Sequence, residues 1–167
     1  MGIAELDEAL TLVRMHSSDA HFAGPRDVGL IAAAEAALGV SFPPTYRRFL
    51  LELGAGSVGS VEIFGVINDD FEHSGIPDAI WYTLTERSET QLPHQLIVIY
   101  SLGDGEIFAL DASHVNADGE CPVVAWLPGG SEPEDRLEII SPDFGSFFLH
   151  MVKQALAKVA LSQHEKP

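Results

Sequence analysis

The uninterrupted apolar run Leu-Ile-Val-Ile-Tyr at residues 96–100 constrains the fold more than any other feature of the sequence. A run of this kind, without polar alternation, is typical of a β-strand that is buried on both faces. The segment Gly103-Asp104-Gly105 predicts a tight turn into a second strand over residues 106–111. A third strand is predicted over residues 122–127. Pro122 is compatible with it, because a proline at the first position of a strand costs no ladder hydrogen bond. The middle of the chain is therefore predicted to form an antiparallel sheet, with shorter strands at 61–66 and 136–140.

Helical periodicity appears before and after this sheet. Ile3, Leu6, Leu10 and Val13 recur at spacings of three and four residues, which predicts an amphipathic helix over residues 3–13. Capping residues, breakers and apolar stripes predict four more helices: one from the N-cap Asp27 to Gly39, one from Pro44 to Gly54, a short one over 76–86 around Trp81, and a long one capped by Ser141 with Pro142 at its first position. This order predicts an α+β domain, in which a central, mainly antiparallel sheet packs against N-terminal helices and a long C-terminal helix.

Length and composition place the chain among ordinary globular domains. Its 167 residues fit one domain, and 46% hydrophobic with 20% charged residues exclude a disordered chain. The first twelve residues carry three acidic residues and no Lys or Arg, unlike a secretory signal, and no apolar run reaches the ~18 residues of a membrane span. Cys121 is the single cysteine, so no internal disulfide or paired-cysteine zinc site is expected. We therefore predict a cytoplasmic protein with no membrane contact.

Net charge is the unusual property of the sequence. Nine Lys and Arg against 25 Asp and Glu give −16 at pH 7. Residues 62–120 hold twelve acidic residues and one basic residue, Arg87, and so carry −11 of that total. A nucleic-acid backbone needs a basic surface, so direct nucleic-acid binding is not expected. An acidic surface favours encounter with a basic protein partner, and solubility alone is the competing explanation.

Patterns that suggest catalysis or ligand binding are weak in this sequence. Residues 54–59 match G-x-G-x-x-G, but they follow a predicted helix and precede a predicted strand, the reverse of a dinucleotide site. Asn116, Asp118 and Gly119 resemble part of a calcium loop that lacks its terminal glutamate. The segment 69–73 has enough carboxylates for a metal-dependent enzyme, without a spacing that identifies one. No catalytic residue, metal or cofactor is predicted.

Three segments carry a resemblance to a known family. The first comprises Ile31, Glu35, Leu38-Gly39, Phe42-Pro43, Tyr46, Phe49-Leu50 and Gly54. The second comprises Leu96 to Ser101, Gly105, Phe108, Leu110-Asp111, Pro122 to Val124 and Trp126. The third comprises Phe144, Phe147 and Phe148-Leu149. In order and spacing they resemble the SUKH superfamily, named after the fungal cell-wall synthesis regulator and related bacterial proteins. The resemblance implies one SUKH-type domain over residues 1–167, with a core at about 28–157.

The resemblance also implies a binding protein rather than an enzyme. Bacterial members of the superfamily are regarded as immunity proteins that neutralise toxins, nucleases among them. A nuclease toxin needs a basic substrate groove, which an acidic protein can occupy. We therefore expect a basic toxin domain as the partner, with these contact residues: Asp69, Asp70, Glu72, Asp104 and Glu106, and Trp81 and Tyr82 as aromatic anchors.

Two alternatives stay open at this point. A regulatory scaffold that binds several host proteins, as in the fungal relatives, would need no toxin. Plain solvation of the five carboxylates and core packing of the two aromatic rings would also explain the predicted contact residues. The sequence does not give the oligomeric state.

Overall fold

The computed structural model describes residues 2–130 and 137–164. Within these ranges the chain forms an α+β domain, as the order of periodicities predicted. Its elements are α1 (Gly2–Met15), β1 (Ala20–Phe22), α2 (Val28–Leu38), α3 (Pro44–Glu52), β2 (Gly56–Val58), β3 (Val61–Ile63), α4 (Ala79–Glu89), β4 (Leu96–Ser101), β5 (Ile107–Asp111), β6 (Val123–Trp126), β7 (Ile139–Ser141) and α5 (Phe144–His164).

Two antiparallel sheets organise the strands. One has the order β1-β2-β3 and the other the order β4-β5-β6-β7. The Phe64 N–H, just after β3, donates to the Ile99 carbonyl of β4 at 2.9 Å and so links the two sheets. In the larger sheet, residues Ile107 to Leu110 of β5 lie opposite residues Trp126 to Val123 of β6. This register brings the β4–β5 turn close to the end of β6.

Strand β4 is buried on both faces, as its apolar run predicted. Ile97 and Ile99 pack into the larger core, together with the inward faces of α1, α2, α3 and α5. Leu96 and Val98 pack into a smaller core on the opposite face of the sheet, beneath α4. The alternation of side chains along a strand therefore divides this continuous apolar run between two cores.

Helices α1 and α5 run side by side in the same direction. A Cβ added to Gly145 would lie 2.0 Å from the Gly2 carbonyl oxygen, so the two backbones touch at their N-terminal ends. Further along, Lys153 Nζ pairs with Glu8 Oε1 at 3.1 Å. From the first contact to the second, the residue numbers increase along both helices, so the two helices are parallel. The helix predicted at residues 3–13 packs on the domain.

Helix caps are mostly where the sequence placed them. Asp27 Oδ1 accepts from the Leu30 N–H at 2.7 Å, and Gly39 ends α2 with φ +70°. Ser141, however, does not cap α5, because it is the last residue of β7. Asp143 does so instead, and its Oδ1 accepts from the Ser146 N–H at 2.7 Å. The carboxylate directly before the apolar stripe, rather than the earlier serine, marks the start of this helix.

The short strands were the weakest part of the prediction. Strands β1 and β2 were not predicted, and β3 ends at Ile63 although a strand was expected over 61–66. Helix α4 covers Ala79–Glu89 rather than 76–86, because Asp78 caps it. The predicted edge strand at 136–140 is β7 at Ile139–Ser141, and Arg136 lies outside the described residues.

Candidate functional site

The loop between β3 and α4 holds the first predicted carboxylates. Asp69, Asp70 and Glu72 are all exposed. Asp70 Oδ1 orders the loop, since it accepts from the His73 N–H at 3.1 Å and lies 3.2 Å from the His73 Nδ1. The hydrogen bond from the His73 backbone lowers the pKa of Asp70, so this side chain stays ionised in mildly acidic solution.

The predicted aromatic anchors lie on α4. Trp81 and Tyr82 are half-buried, with ring centroids 6.2 Å apart. The Tyr82 ring lies 5.2 Å from the Phe64 ring and packs against the smaller core. Tyr82 therefore has a packing role of its own, and only part of each ring is available to a partner.

The β4–β5 turn holds the remaining predicted carboxylates. Asp104 Oδ1 accepts from the Glu106 N–H at 3.0 Å, and the Leu102 N–H donates to the Glu106 carbonyl at 3.0 Å. Glu106 lines a shallow cavity of about 200 Å³ that also contains Trp126, Leu127 and Glu138. Leu127 is 50% exposed. We call Asp104, Glu106, Trp126, Leu127 and Glu138 the hairpin surface.

The structure thus assembles part of the predicted site and separates the rest. It brings Asp104 and Glu106 close to a half-buried tryptophan, an exposed leucine and a third carboxylate. Among the described residues, no hydrogen bond or ion pair connects the loop at 69–72 with the hairpin surface, and the cavity that Glu106 lines does not include the loop. Sequence reasoning did not select Trp126, Leu127 or Glu138 as contact residues. The pairing of β5 with β6 would have indicated Trp126 and Leu127, because it places Trp126 opposite Ile107, next to the β4–β5 turn.

The positive side chains lie elsewhere and are largely occupied. The ion pairs made by Lys and Arg in residues 2–130 and 137–164 go to carboxylates of α1, α2 and α3: Arg14–Glu52, Arg47–Glu35, Arg48–Asp7, Arg48–Glu52 and Lys153–Glu8. Arg26 and Arg87 donate instead to backbone carbonyls. Within the described part of the chain, the hairpin surface has no Lys or Arg partner, so its three carboxylates face solvent without a compensating cation.

Not all of the acidic mid-chain residues belong to a contact surface. Three of the twelve are buried, namely Asp78, Asp111 and Glu120. Asp78 caps α4 through the N–H groups of Ile80 and Trp81, at 2.9 and 3.0 Å. Glu120 accepts from the Thr45 N–H at 2.8 Å and from the Thr45 hydroxyl at 2.9 Å, at the start of α3. The charge that a partner can touch is therefore smaller than the sequence count suggested.

Asp111, Ser113 and His114 form a cluster that superficially looks catalytic. The Ser113 hydroxyl donates to Asp111 Oδ1 at 2.6 Å and lies 3.0 Å from His114 Nδ1. His114 Nδ1 also lies 2.8 Å from Asp111 Oδ2. A serine–histidine–aspartate relay needs the serine and the aspartate on different ring nitrogens. Here both are on the same nitrogen, so the cluster orders the turn after β5 and cannot relay a proton.

Other chemistry-bearing residues have structural surroundings too. Cys121 is buried, and this burial is the main reason why the pKa of its thiol is raised to about 12. The negative charges of the Glu120 and Asp111 carboxylates raise it further. A thiolate nucleophile is thus disfavoured at neutral pH. Among the described residues, no group of three or more His, Cys, Asp and Glu side chains is arranged to hold a metal ion. The G-x-G-x-x-G match lies between α3 and β3, with Gly54 at φ +76° after the helix, which is the order that excludes a dinucleotide site.

The residues that carried the family resemblance have clear structural roles. Glu35 Oε2 accepts from the Phe42 N–H at 2.7 Å and pairs with Arg47 Nη2 at 2.7 Å, which ties α2 to α3. The Tyr46 hydroxyl donates to the Phe64 carbonyl at 2.9 Å. The family model SUKH_5, described as SMI1-KNR4 cell-wall, matches residues 3–153.

The chain belongs to the SUKH superfamily. The match begins at the first turn of α1 and ends within α5, so it includes nearly all of α1 and the N-terminal half of α5. No helix in the described ranges has the length and hydropathy needed to cross a membrane. The residues that carried the resemblance hold the fold together, and Trp126 of the hairpin surface is one of them, because it packs against the smaller core.

Proposed function

We propose that this SUKH protein is an immunity-type binding protein that acts in the cytoplasm and neutralises a basic toxin domain by direct contact through the hairpin surface. The observation that carries the proposal is the separation of charge. The Lys and Arg ion pairs of the described residues go to carboxylates of α1, α2 and α3, whereas Asp104, Glu106 and Glu138 form no ion pair with a described Lys or Arg. Membership of SUKH supports the proposal, because the superfamily includes immunity proteins.

The hairpin surface has the composition of a protein-binding surface. Trp126 offers a large, half-buried ring and Leu127 an exposed aliphatic side chain, and carboxylates border both. Binding energy at interfaces concentrates in such apolar and aromatic anchors, while the surrounding charges set the association rate and the choice of partner. A basic groove would meet complementary charge here and an apolar contact at its centre.

The test compares two triple variants with the same change in net charge. One carries Asp104→Asn, Glu106→Gln and Glu138→Gln on the hairpin surface, and the other carries Asp69→Asn, Asp70→Asn and Glu72→Gln in the loop. Amide side chains keep the hydrogen-bond acceptors of both turns. A tagged wild-type protein first captures a basic protein from the source cells. That protein is then expressed in a test host, with and without each variant, to measure growth inhibition and its relief.

We expect the wild-type and the loop variant to restore growth, and the hairpin variant to fail. In purified form, the hairpin variant should associate with the toxin about three to ten times more slowly at low salt, with a flatter salt dependence. Equal effects of both variants would show that only net charge matters. Several weakly captured proteins, none of them toxic, would support the scaffold alternative and contradict the immunity function.

A further inference from the structure

We propose that the exposed edge of β7 takes up an additional strand from the partner, an extended segment that carries both apolar residues and lysine or arginine. This inference rests on the proposed function, since it specifies how the toxin would be held. It adds to the charged contact a backbone-paired strand and an apolar cavity that the hairpin surface does not include.

The first support is the state of β7 itself. It is the last strand in the order β4-β5-β6-β7, and no strand of the described residues pairs with its other edge. Its residues Ile139 and Ile140 are 66% and 37% exposed. Natural edge strands are usually protected by short length, lysine, proline or a covering segment, because unpaired backbone groups beside apolar side chains attract another strand. β7 has only three residues, but its exposed positions, Ile139 and Ile140, are apolar and carry neither lysine nor proline.

The second support is an apolar cavity next to β7, on the α5 side of the sheet. Its volume is about 340 Å³, and its lining includes Tyr100, Phe108, Ile140, Phe147 and Met151. The Tyr100 and Phe108 rings are stacked 5.6 Å apart, and the Phe147 ring meets Phe108 edge-on at 6.0 Å. Such rigid aromatic walls can bury one or two apolar side chains of a partner.

The two cavities beside β7 differ in chemistry. Ile140 lines the apolar cavity, whereas Glu138, two residues earlier, and Glu106 line the hairpin cavity. A strand added along β7 would therefore pass both cavities. An apolar residue would enter the first cavity, and a basic residue would reach the carboxylates of the second. These two contacts select a basic and apolar segment over an acidic one.

Charge also argues for a partner rather than a second copy of this chain. A second copy would bring to this edge a molecule that also carries −16, rather than the opposite charge. Like charges across a strand pair are destabilising. A basic segment brings the opposite sign to the same carboxylates and pairs with the same backbone edge.

The probe is an acetylated and amidated decapeptide of alternating leucine and lysine, titrated into the full-length protein and followed by fluorescence anisotropy. Its first control is the same peptide with N-methyl groups on alternate amides, which removes backbone pairing along one edge and keeps the side chains. Its second control alternates leucine and glutamate. On the protein, Ile139→Lys tests the edge, and Val115→Lys is the matched control, because Val115 is 60% exposed in the β5–β6 connection and is not part of the strand edge.

We expect the leucine–lysine peptide to bind, and either the N-methyl groups or Ile139→Lys to weaken binding by about tenfold or more. Val115→Lys should leave binding unchanged, and the glutamate peptide should not bind. Equal affinity of the methylated and unmethylated peptides, or of the Ile139→Lys and wild-type proteins, would overturn strand addition. So would self-association of the free protein that Ile139→Lys abolishes, because the occupant would then be a second copy.

The growth assay with the toxin distinguishes a failure of strand addition from a failure of the proposed function. If Ile139→Lys restores growth as well as the wild-type while the hairpin variant fails, the acidic contact holds and strand addition is wrong. If the wild-type itself does not neutralise any captured basic protein, the proposed function fails. Loss of neutralisation in Ile139→Lys, with retention in Val115→Lys, would support both.

Discussion

Replacing Glu120 tests how a buried carboxylate acts as a remote helix cap. Helix α3 begins after Pro43, which has no side-chain hydrogen bond to offer as an N-cap. Glu120 lies 75 residues further along and accepts from both the N–H and the hydroxyl of Thr45. Thr45 is only 1% exposed, so water cannot replace these bonds. Glu120→Ala should lower the free energy of unfolding by about 2–4 kcal/mol, because a buried donor without a partner costs about 1–3 kcal/mol.

Glu120→Gln should behave differently, because it keeps an acceptor and removes the charge. Burial raises the pKa of Glu120, and the Asp143 and Asp118 carboxylates add to the effect, while the hydrogen bonds from Thr45 oppose it. The folded state therefore binds the Glu120 proton more tightly than the unfolded state. The stability that this tighter proton binding contributes is fully present below the ordinary pKa of 4.5. It is lost as the pH rises through the higher pKa that Glu120 has in the folded protein. A glutamine at this position has no such loss.

The assay is urea unfolding of wild-type, Glu120→Gln and Glu120→Ala at pH 4.5 and at pH 7, evaluated by linear extrapolation. Glu120→Gln should be at least as stable as the wild-type at pH 7, and should lose that advantage towards pH 4.5. Burial also raises the pKa of Asp78, but Asp78 is present in all three proteins and cancels in the comparison. Asp27→Asn is the control, because Asp27 caps α2 from an exposed position. If Glu120→Gln is as unstable as Glu120→Ala at pH 7, the ionised carboxylate itself holds the cap and the reasoning is wrong.

Three further predictions concern the core and the helix contact. Tyr46→Phe should lower the free energy of unfolding by about 1–3 kcal/mol, since it leaves the buried Phe64 carbonyl without its donor; unchanged urea midpoints would contradict this. Cys121 should resist a thiol reagent at pH 8 in the folded protein and react after unfolding, because burial raises the pKa of its thiol to about 12; labelling in native buffer at the rate of a free thiol would be the opposite result. Gly145→Ala should lower the thermal midpoint, at a cost of about 1–3 kcal/mol, because its Cβ would lie 2.0 Å from the Gly2 carbonyl oxygen. Gly75→Ala is its control, with nothing within 4 Å of the added Cβ, and similar midpoints for both variants would show that α1 moves freely.

The sequence predicted the elements whose signals are local and repeated. The apolar run of β4, the stripe of α1, the Asp27 cap and the Gly103–Gly105 turn all depend on neighbours within a few residues. Strands β1 and β2 have only three residues each, and their pairing is decided by distant partners such as Ala20 and Val58. Propensity over three residues is too weak a signal to reveal such strands.

The candidate site was predictable only in part, for a related reason. Charge counting identified Asp104 and Glu106, which lie in a turn that the sequence makes evident. It also counted Asp78, Asp111 and Glu120 as surface charge, although each is buried and bonded within the fold. Glu138 joins the hairpin surface through the pairing of β6 with β7, where the Ala125 N–H donates to the Glu138 carbonyl at 2.9 Å. No local pattern reports a contact of that kind.

The parallel contact between α1 and α5 has a consequence for how the chain is made. The apolar stripe of α1 leaves the ribosome before the other elements of the domain, whereas the helix that covers it is the last of them. At about 5–20 residues per second, that stripe waits roughly seven to thirty seconds for its partner. The core cannot close in stages from the N-terminus, and a nascent chain that stops before residue 144 lacks the helix on which the larger core is built. Synthesis of α5, rather than the order of the earlier elements, is therefore the event that makes this domain foldable.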